Sequence, residues 1–243
     1  MAQSRPSHAV TFDGAAVVAE TTAPDGRADR LTILHPVTCT LTERRVAVVG
    51  ANGSGKSTLA RLVNGLATPS SGRVLVDGLD TVRDGAAVRR RVGFVFTDPD
   101  AQLVMPTPRE DVALSLRRLP LDRAARDDRV RAVLERFGLA DRAEVSVHAL
   151  SGGQKQLLAL AGVLATEPSV LVCDEPTTLL DLRWRRVVDD LLDSVDQQVL
   201  QVTHDLDAAA RADRVLVVDR GHVVFDGPAP DGVAHYRDLM AVR

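Results

Sequence analysis

"RRVAVVGANGSGKSTLARLV", residues 44–63, decides the fold of this chain. Its first seven residues are an apolar, Val-rich run that reads as a buried strand ending on glycine. Residues 50–57 then fit G-x-x-x-x-G-K-[ST] in full, and a helix is expected from residue 56 to about residue 66. A strand that enters a glycine loop and leaves as a helix is the setting in which such a loop cradles phosphates. Gly50, Gly53 and Gly55 let backbone amides turn inward, and the helix start adds partial positive charge. Lys56 is expected to reach the β/γ-phosphates and the Ser57 hydroxyl to coordinate Mg²⁺, with Asn52, Ser54 and Thr58 completing the loop. Alone, the loop specifies only a bound nucleotide.

Working outward, "GRVLVDG", "RVGFVF", "SVLVCDE", "QVLQVT" and "RVLVVD" read as further strands, and "HVVFDG" as a closing edge strand. Helices are expected at 182–195 and 206–212. Strands interleaved with helices of this length imply an α/β fold with a parallel sheet. The first 45 residues read as short strands around a polar loop, "ETTAPDGRADR". From about 97 to 166 the pattern turns helical, rich in Arg, Leu and Ala, with Pro106, Pro108 and Pro120 as breakers. That stretch reads as a lobe inserted into the sheet domain, and the whole of 1–243 as one unit.

Composition narrows the class. Apolar residues make up 45% of the 243, a globular value. The longest apolar run, 157–165, is far short of the ~20 residues a membrane span needs, and "MAQSRPSHAVTFDG" is no signal sequence. A soluble protein is therefore expected, with any membrane role supplied by a partner. A net charge of −3 argues against nucleic acid as the main ligand. Cys39 and Cys173 form no metal-type pattern, and Cys173 reads as a buried reduced thiol. Among the 30 basic residues only Lys56 and Lys155 are lysine, and one of them stands in the phosphate loop, where a compact ammonium suits phosphate.

Three further motifs carry chemistry. Asp174 and Glu175 end the strand "SVLVC", which places two carboxylates at the ligand edge of the sheet. His204 follows "QVLQV" and precedes a helix; such a histidine alone is more often a structural cap. Ser151, Gly152, Gly153 and Gln154 open the helix "SGGQKQLLALAGVLA", where Ser151 is a good N-cap and the glycines leave amides uncovered. One phosphate site already exists at 50–57, so a second anion-binding helix start should serve another molecule's nucleotide.

With a phosphate loop, SGGQ, "VLVCDEPT" and "QVTHD" in this order, the chain resembles the nucleotide-binding subunit of ABC transporters over nearly its whole length. The resemblance implies an ABC ATPase: a RecA-like P-loop NTPase sheet, an antiparallel β subdomain and an inserted helical lobe. It implies ATP and Mg²⁺ as ligands. By the same resemblance Asp174 holds Mg²⁺, directly or through water, and Glu175 polarises the attacking water. His204 senses the γ-phosphate, and Asp181 belongs to the loop that crosses to the opposite subunit. Ser151–Gln154 covers the nucleotide of a second ATPase subunit, either an identical copy or a paralogue. Two departures stand out. Thr97 occupies the position where a glutamine normally follows the strand "RVGFVF", and Gln102, five residues on, is the alternative third metal-site residue. An aromatic normally stacks on adenine, but Ala19 falls near that slot, with Phe12 the nearest aromatic.

Within the superfamily, "FTDPDAQLVMPTPREDVALSL" (residues 96–116) resembles energy-coupling factor (ECF) transporter ATPases, and the short segment after it is closer to the biotin type than to the cobalt type. This resemblance implies vitamin uptake, with cobalt or nickel import as the alternative. The partners it implies are a transmembrane coupling protein and a solute-binding membrane subunit, with the ATPase on the cytoplasmic face of the membrane and no role for nucleic acid. Chromosome ATPases of the SMC or Rad50 kind place a long coiled coil between the two motif halves, which this chain lacks, and ABC translation factors carry two cassettes. Leu103, Val104, Met105 and Pro106 form an apolar cluster, expected to line a groove for a helix of the coupling protein or else to lie in the lobe's core.

Overall fold

Ten strands and eight helices follow one another in the computed structural model, which describes residues 8–22, 26 and 28–241. The central sheet has six strands in the order β10-β9-β3-β8-β7-β6: β3 (Arg45–Val49), β6 (Val92–Val95), β7 (Val170–Asp174), β8 (Gln198–Val202), β9 (Arg214–Asp219) and β10 (His222–Pro228). All neighbours run parallel except β10, which closes one edge antiparallel to β9. Every residue of β3, β7 and β8 is buried, as expected of parallel strands covered on both faces. Successive side chains alternate between the faces. Val170 and Val172 of β7 join the core beneath α1 (Lys56–Val63), while Leu171 and Cys173 join the core of the helical lobe.

A second, antiparallel sheet has the order β2-β1-β4-β5, from β1 (Val10–Thr22), β2 (Ala28–Leu41), β4 (Ser71–Val76) and β5 (Leu79–Asp80). Here the sequence reading needs correction. β1 and β2 are long, 13 and 14 residues, not short. The polar stretch expected between them is mostly strand at its flanks; residues 23–25 and 27 of it lie outside the described residues. Register shifts between Phe12 and Val18 broke the alternation that would have revealed one long strand.

Between β6 and β7 lie three helices, α3 (Pro108–Ser115), α4 (Arg123–Arg136) and α5 (Gly152–Leu164). Thr107, Asp122 and Ser151 cap them, each accepting a backbone N–H of the first turn, and Pro108 fills the first position of α3, where no N–H is needed. The apolar run at 157–165 makes α5 the buried centre of the lobe, with Leu158, Leu160 and Ala161 shielded from solvent. No described helix is long and apolar enough to cross a membrane.

The rest completes the sheet. α2 (Gly85–Arg91) leads into β6, and α6 (Leu182–Ser194) and α7 (Leu206–Ala210) follow β7 and β8. α1 stops at Val63, short of residue 66, because Asn64 leaves the helical conformation and Gly65 turns left-handed (φ 71°). α8 (Ala229–Ala241) was not foreseen. It packs on β9 and β10 through the buried Ala229 and Val233, with Tyr236 and Leu239 partly buried against the same cluster.

Candidate functional site

The loop between β3 and α1 is pressed against its neighbours so tightly that only glycine fits. A Cβ on Gly50 would lie 2.1 Å from the Val218 carbonyl oxygen, and one on Gly55 (φ 106°) 2.8 Å from that of Ile33. Two backbone bonds fix the loop: the Ser54 amide donates to Ala51 O, and the Gly221 amide to Ser54 O. Asn52 and Gly53 stand exposed at its tip, Ser54 is buried, and Thr58 lies half-buried in the first turn of α1.

Lys56 is only 4% exposed. Its ammonium donates to Ala51 O (2.9 Å) and stands 4.0 Å from Glu175 Oε1. Burial pulls its pKa down, opposed by the charges of Glu175 and Asp174. An incoming phosphate would supply the negative charge that this ammonium shares with a distant carboxylate.

Beside it, the Ser57 hydroxyl donates to Asp174 Oδ1 at 2.8 Å. Arg61, one turn further along α1, reaches 3.6 Å from Asp174 Oδ2. Burial holds the Asp174 carboxyl above the usual range, against the pull of the Ser57 bond and Arg61. Two oxygen donors on rigid elements, a hydroxyl and a carboxylate, suit a hard divalent cation such as Mg²⁺.

Glu175 takes the left-handed backbone conformation (φ 53°), held by its amide donating to Val202 O. Its carboxylate turns back over the loop, accepts the Thr178 hydroxyl at 2.9 Å and lies 3.3 Å from His204 Nδ1. The register of β7 against β8 explains the meeting: Asp174 sits opposite Val202, so the residues leaving each strand stand side by side. His204 is exposed on one flank, open to whatever enters.

The helix start at 151–154 is built as expected but stands apart. Ser151 Oγ accepts the Gln154 amide and the Gln154 side chain accepts that of Ser151, a reciprocal cap. Nothing lies within 4 Å of a Cβ on Gly152, whereas one on Gly153 would strike the Trp184 ring at 2.1 Å. Among the described residues no hydrogen bond or ion pair joins this turn to the loop at 50–58. Asp181 is exposed and caps α6 by accepting the Trp184 amide (2.9 Å), between the exposed Leu179 and Leu182.

One expectation fails. Gln102 does not join the metal set: its side-chain oxygen accepts the Phe96 amide (3.1 Å) and its amide faces Ala159 O (3.5 Å), so the atom a metal would take is engaged elsewhere. Thr97 does approach, its hydroxyl donating to the Asp174 carbonyl oxygen at 2.7 Å. Phe12 is fully buried and cannot stack on a base; Leu31, paired with Ala19 across the strands, is aliphatic and 59% exposed. Arg61, Thr178 and Trp184 were missed by sequence reasoning. Arg61 at four residues past Ser57 lies on the same helix face, and that spacing was the available signal.

A family model described as ABC transporter matches residues 34–178. A Deinococcus radiodurans protein named generically as an ABC transporter ATP-binding protein is 50% identical over 87% of this chain and 94% of its own length. The biotin transport ATP-binding protein BioM of Rhizobium etli is 43% identical over 86% and 92%. Among solved structures, cbiO1 from Clostridium perfringens, part of the ABC transporter complex cbiONQ, superposes with a TM-score of 0.78 at 30% identity, covering 96% of this chain and 93% of that one. The ATP-binding cassette MJ0796, solved as a dimer with ADP and Pi, superposes at 0.77 with 27% identity over 90% and 98%. The RecA-like sheet, the antiparallel subdomain and the inserted helical lobe are therefore those of a known assembly: this chain belongs to the ABC transporter family, as an ATP-binding, ATP-hydrolysing subunit of the ABC/ECF kind.

Proposed function

We propose that this subunit hydrolyses ATP with Mg²⁺ in a dimer and thereby drives biotin uptake through ECF-type membrane partners at the cytoplasmic face of the membrane. The observation that carries the chemistry is the convergence of Lys56, Glu175 and His204 next to the Ser57–Asp174 pair. Phosphoryl transfer needs positioning and charge neutralisation more than covalent help. The loop amides at 50–58 and Lys56 hold the phosphates. Ser57 and Asp174 would hold Mg²⁺, which when bound neutralises charge on the transferring phosphoryl group. Glu175, fixed by Thr178, orients and accepts a proton from the attacking water, and His204 contacts the γ-phosphate. Ser151, Gly152 and Asp181 are exposed, and among the described residues no hydrogen bond or ion pair joins the 151–154 turn to the loop at 50–58, which supports a second ATPase subunit as their target. The dimeric form of the related MJ0796 supports the same arrangement.

Glu175→Gln tests this. Turnover should fall on the order of 10²–10⁴ while ATP binding persists, the usual contribution of a catalytic base. Wild-type turnover in that variant would remove Glu175 from its role.

The biotin assignment is supported by BioM relatives at 43% and 40% identity, which stand level with EcfA1 relatives at 39–42% whose names carry no solute. Deleting the gene should abolish uptake of labelled biotin; loss of cobalt or nickel uptake instead would favour the alternative. The segment carrying Leu103–Pro106 lines a groove of about 450 Å³ together with residues 146–148 and Asp100, with Val104 68% exposed. We assign this groove to a helix of the coupling protein. Val104→Asp should abolish co-purification with the membrane subunits and leave ATP binding intact; unfolding of the isolated subunit would place the cluster in the core instead.

A further inference from the structure

One wall of the partner groove is bonded directly to the helix that opens with Ser151. Lys155 Nζ donates to both carboxylate oxygens of Asp100, at 2.7 and 3.0 Å, and is itself only 15% exposed. Asp100 lies in a short helical turn, residues 99–101, and lines the groove. Lys155 is the fourth residue of α5, its own amide bonded to Ser151 O. The junction has two further stays. The Phe96 amide donates to Gln102 and the Phe96 carbonyl accepts from Gln156 (3.4 Å), a glutamine buried to 1%. The opposite groove wall, 146–148, is stitched to the first by the Val147 amide donating to Pro106 O (2.9 Å), and it runs into Ser151 three residues later.

Among these links Lys155–Asp100 differs in kind. It is the one ion pair, it is charge-assisted and bidentate in its acceptors, and its acidic end is exposed at the groove while its basic end is not. The remaining links are neutral and lie deeper. A body inserted beside Asp100 therefore meets the carboxylate first, and any displacement of it is felt by the first turn of α5.

We propose that Lys155 is a positioning residue: through Asp100 it ties the partner groove to the Ser151–Gln154 turn, so that docking at the groove sets the orientation of that turn toward the second subunit's nucleotide. This rests on the groove being the docking site of the membrane partner. In this role Lys155 acts only through Asp100, and basal hydrolysis should not depend on it.

The test uses the whole transporter, ATPase with its membrane subunits in lipid vesicles, and reads two quantities: co-purification of the ATPase, and the ratio of partner-stimulated to basal hydrolysis. Lys155→Gln should co-purify and keep its basal rate, while the stimulation ratio falls at least about fivefold, the lower end of ordinary coupling energies. Lys155→Arg should restore the ratio, because guanidinium pairs equally with Asp100, and the exchange Asp100→Lys with Lys155→Asp should restore most of it. A merely structural role would move basal and stimulated rates together, and that outcome overturns the proposal. Full stimulation in Lys155→Gln overturns it as well while leaving the docking site in place. If the wild-type ATPase neither co-purifies nor is stimulated, the docking reading falls and takes this inference with it. Should Lys155→Gln fold poorly, the arginine and exchanged variants decide alone: restored folding without restored stimulation counts against the strut.

Discussion

At the scale of single residues, the site is made of side chains whose roles depend on what lies one contact away. Lys56 has little water and one near carboxylate, so Lys56→Ala should weaken ATP binding strongly with little effect on the fold, measured by nucleotide titration. Gly153 is defined by its neighbour. Any side chain there collides with Trp184, so Gly153→Ala must displace the indole. Since Trp184 is the only tryptophan, its emission should shift red in that variant, and the melting temperature should fall with it. An unchanged spectrum would mean that the indole is already mobile. Most of these residues were legible as letters: the loop at 50–57 and the pair 174–175 are read locally, where backbone geometry and chemistry sit within a few positions. Arg61 and Thr178 carried local spacing signals that went unread, whereas the Gly153–Trp184 contact was not legible, because it arises from two elements meeting in space. Gln102 misled for the same reason, since sequence position cannot say that Phe96 already occupies its oxygen.

At the scale of elements, β3 is held at its entrance by a buried charge cluster that no motif announces. Arg45, 2% exposed, pairs with Asp193 of α6 and donates to Gln201 of β8 (2.8 Å), with Asp189 nearby. Burial lowers the Arg45 pKa and raises that of Asp189. Arg211 also pairs with Asp193, which is partly exposed, so Arg45→Met leaves mainly Asp189 and Gln201 short of a partner. It should lower stability in denaturant unfolding by less than loss of a fully buried pair, about 1–3 kcal/mol. The sign at Asp189 follows from its raised pKa: the folded protein favours the protonated form. Its contribution to stability is therefore present at low pH and is lost as pH rises through that raised value. Asp189→Asn should flatten this dependence. The strands of the central sheet were readable because burial on both faces leaves continuous apolar runs. β1 and β2 were not, since their bulges interrupt the alternation, and α8 was not, since Pro230, Asp231 and Gly232 at its start read as a turn.

At the scale of the whole molecule, the missing aromatic near Ala19 has a measurable effect. With Leu31 in place of a ring, a base gains dispersion but no stack, forgoing roughly 1–3 kcal/mol. GTP should compete with ATP within about tenfold, since 1.4 kcal/mol is one decade; a thousandfold ATP preference would reveal a base-reading group elsewhere. The left-handed backbone at Glu175 has a different consequence for the protein as an object of engineering. An L-residue there costs about 1–2 kcal/mol, and glycine would recover part of it after its own entropic penalty of about 0.5–1 kcal/mol. Once the lost Thr178 and Lys56 contacts are offset, Glu175→Gly should therefore melt no lower than the parent while its turnover falls by the same order as in Glu175→Gln. A selection for thermostability run without an activity readout would find no penalty at that codon and could return a folded protein that scarcely works.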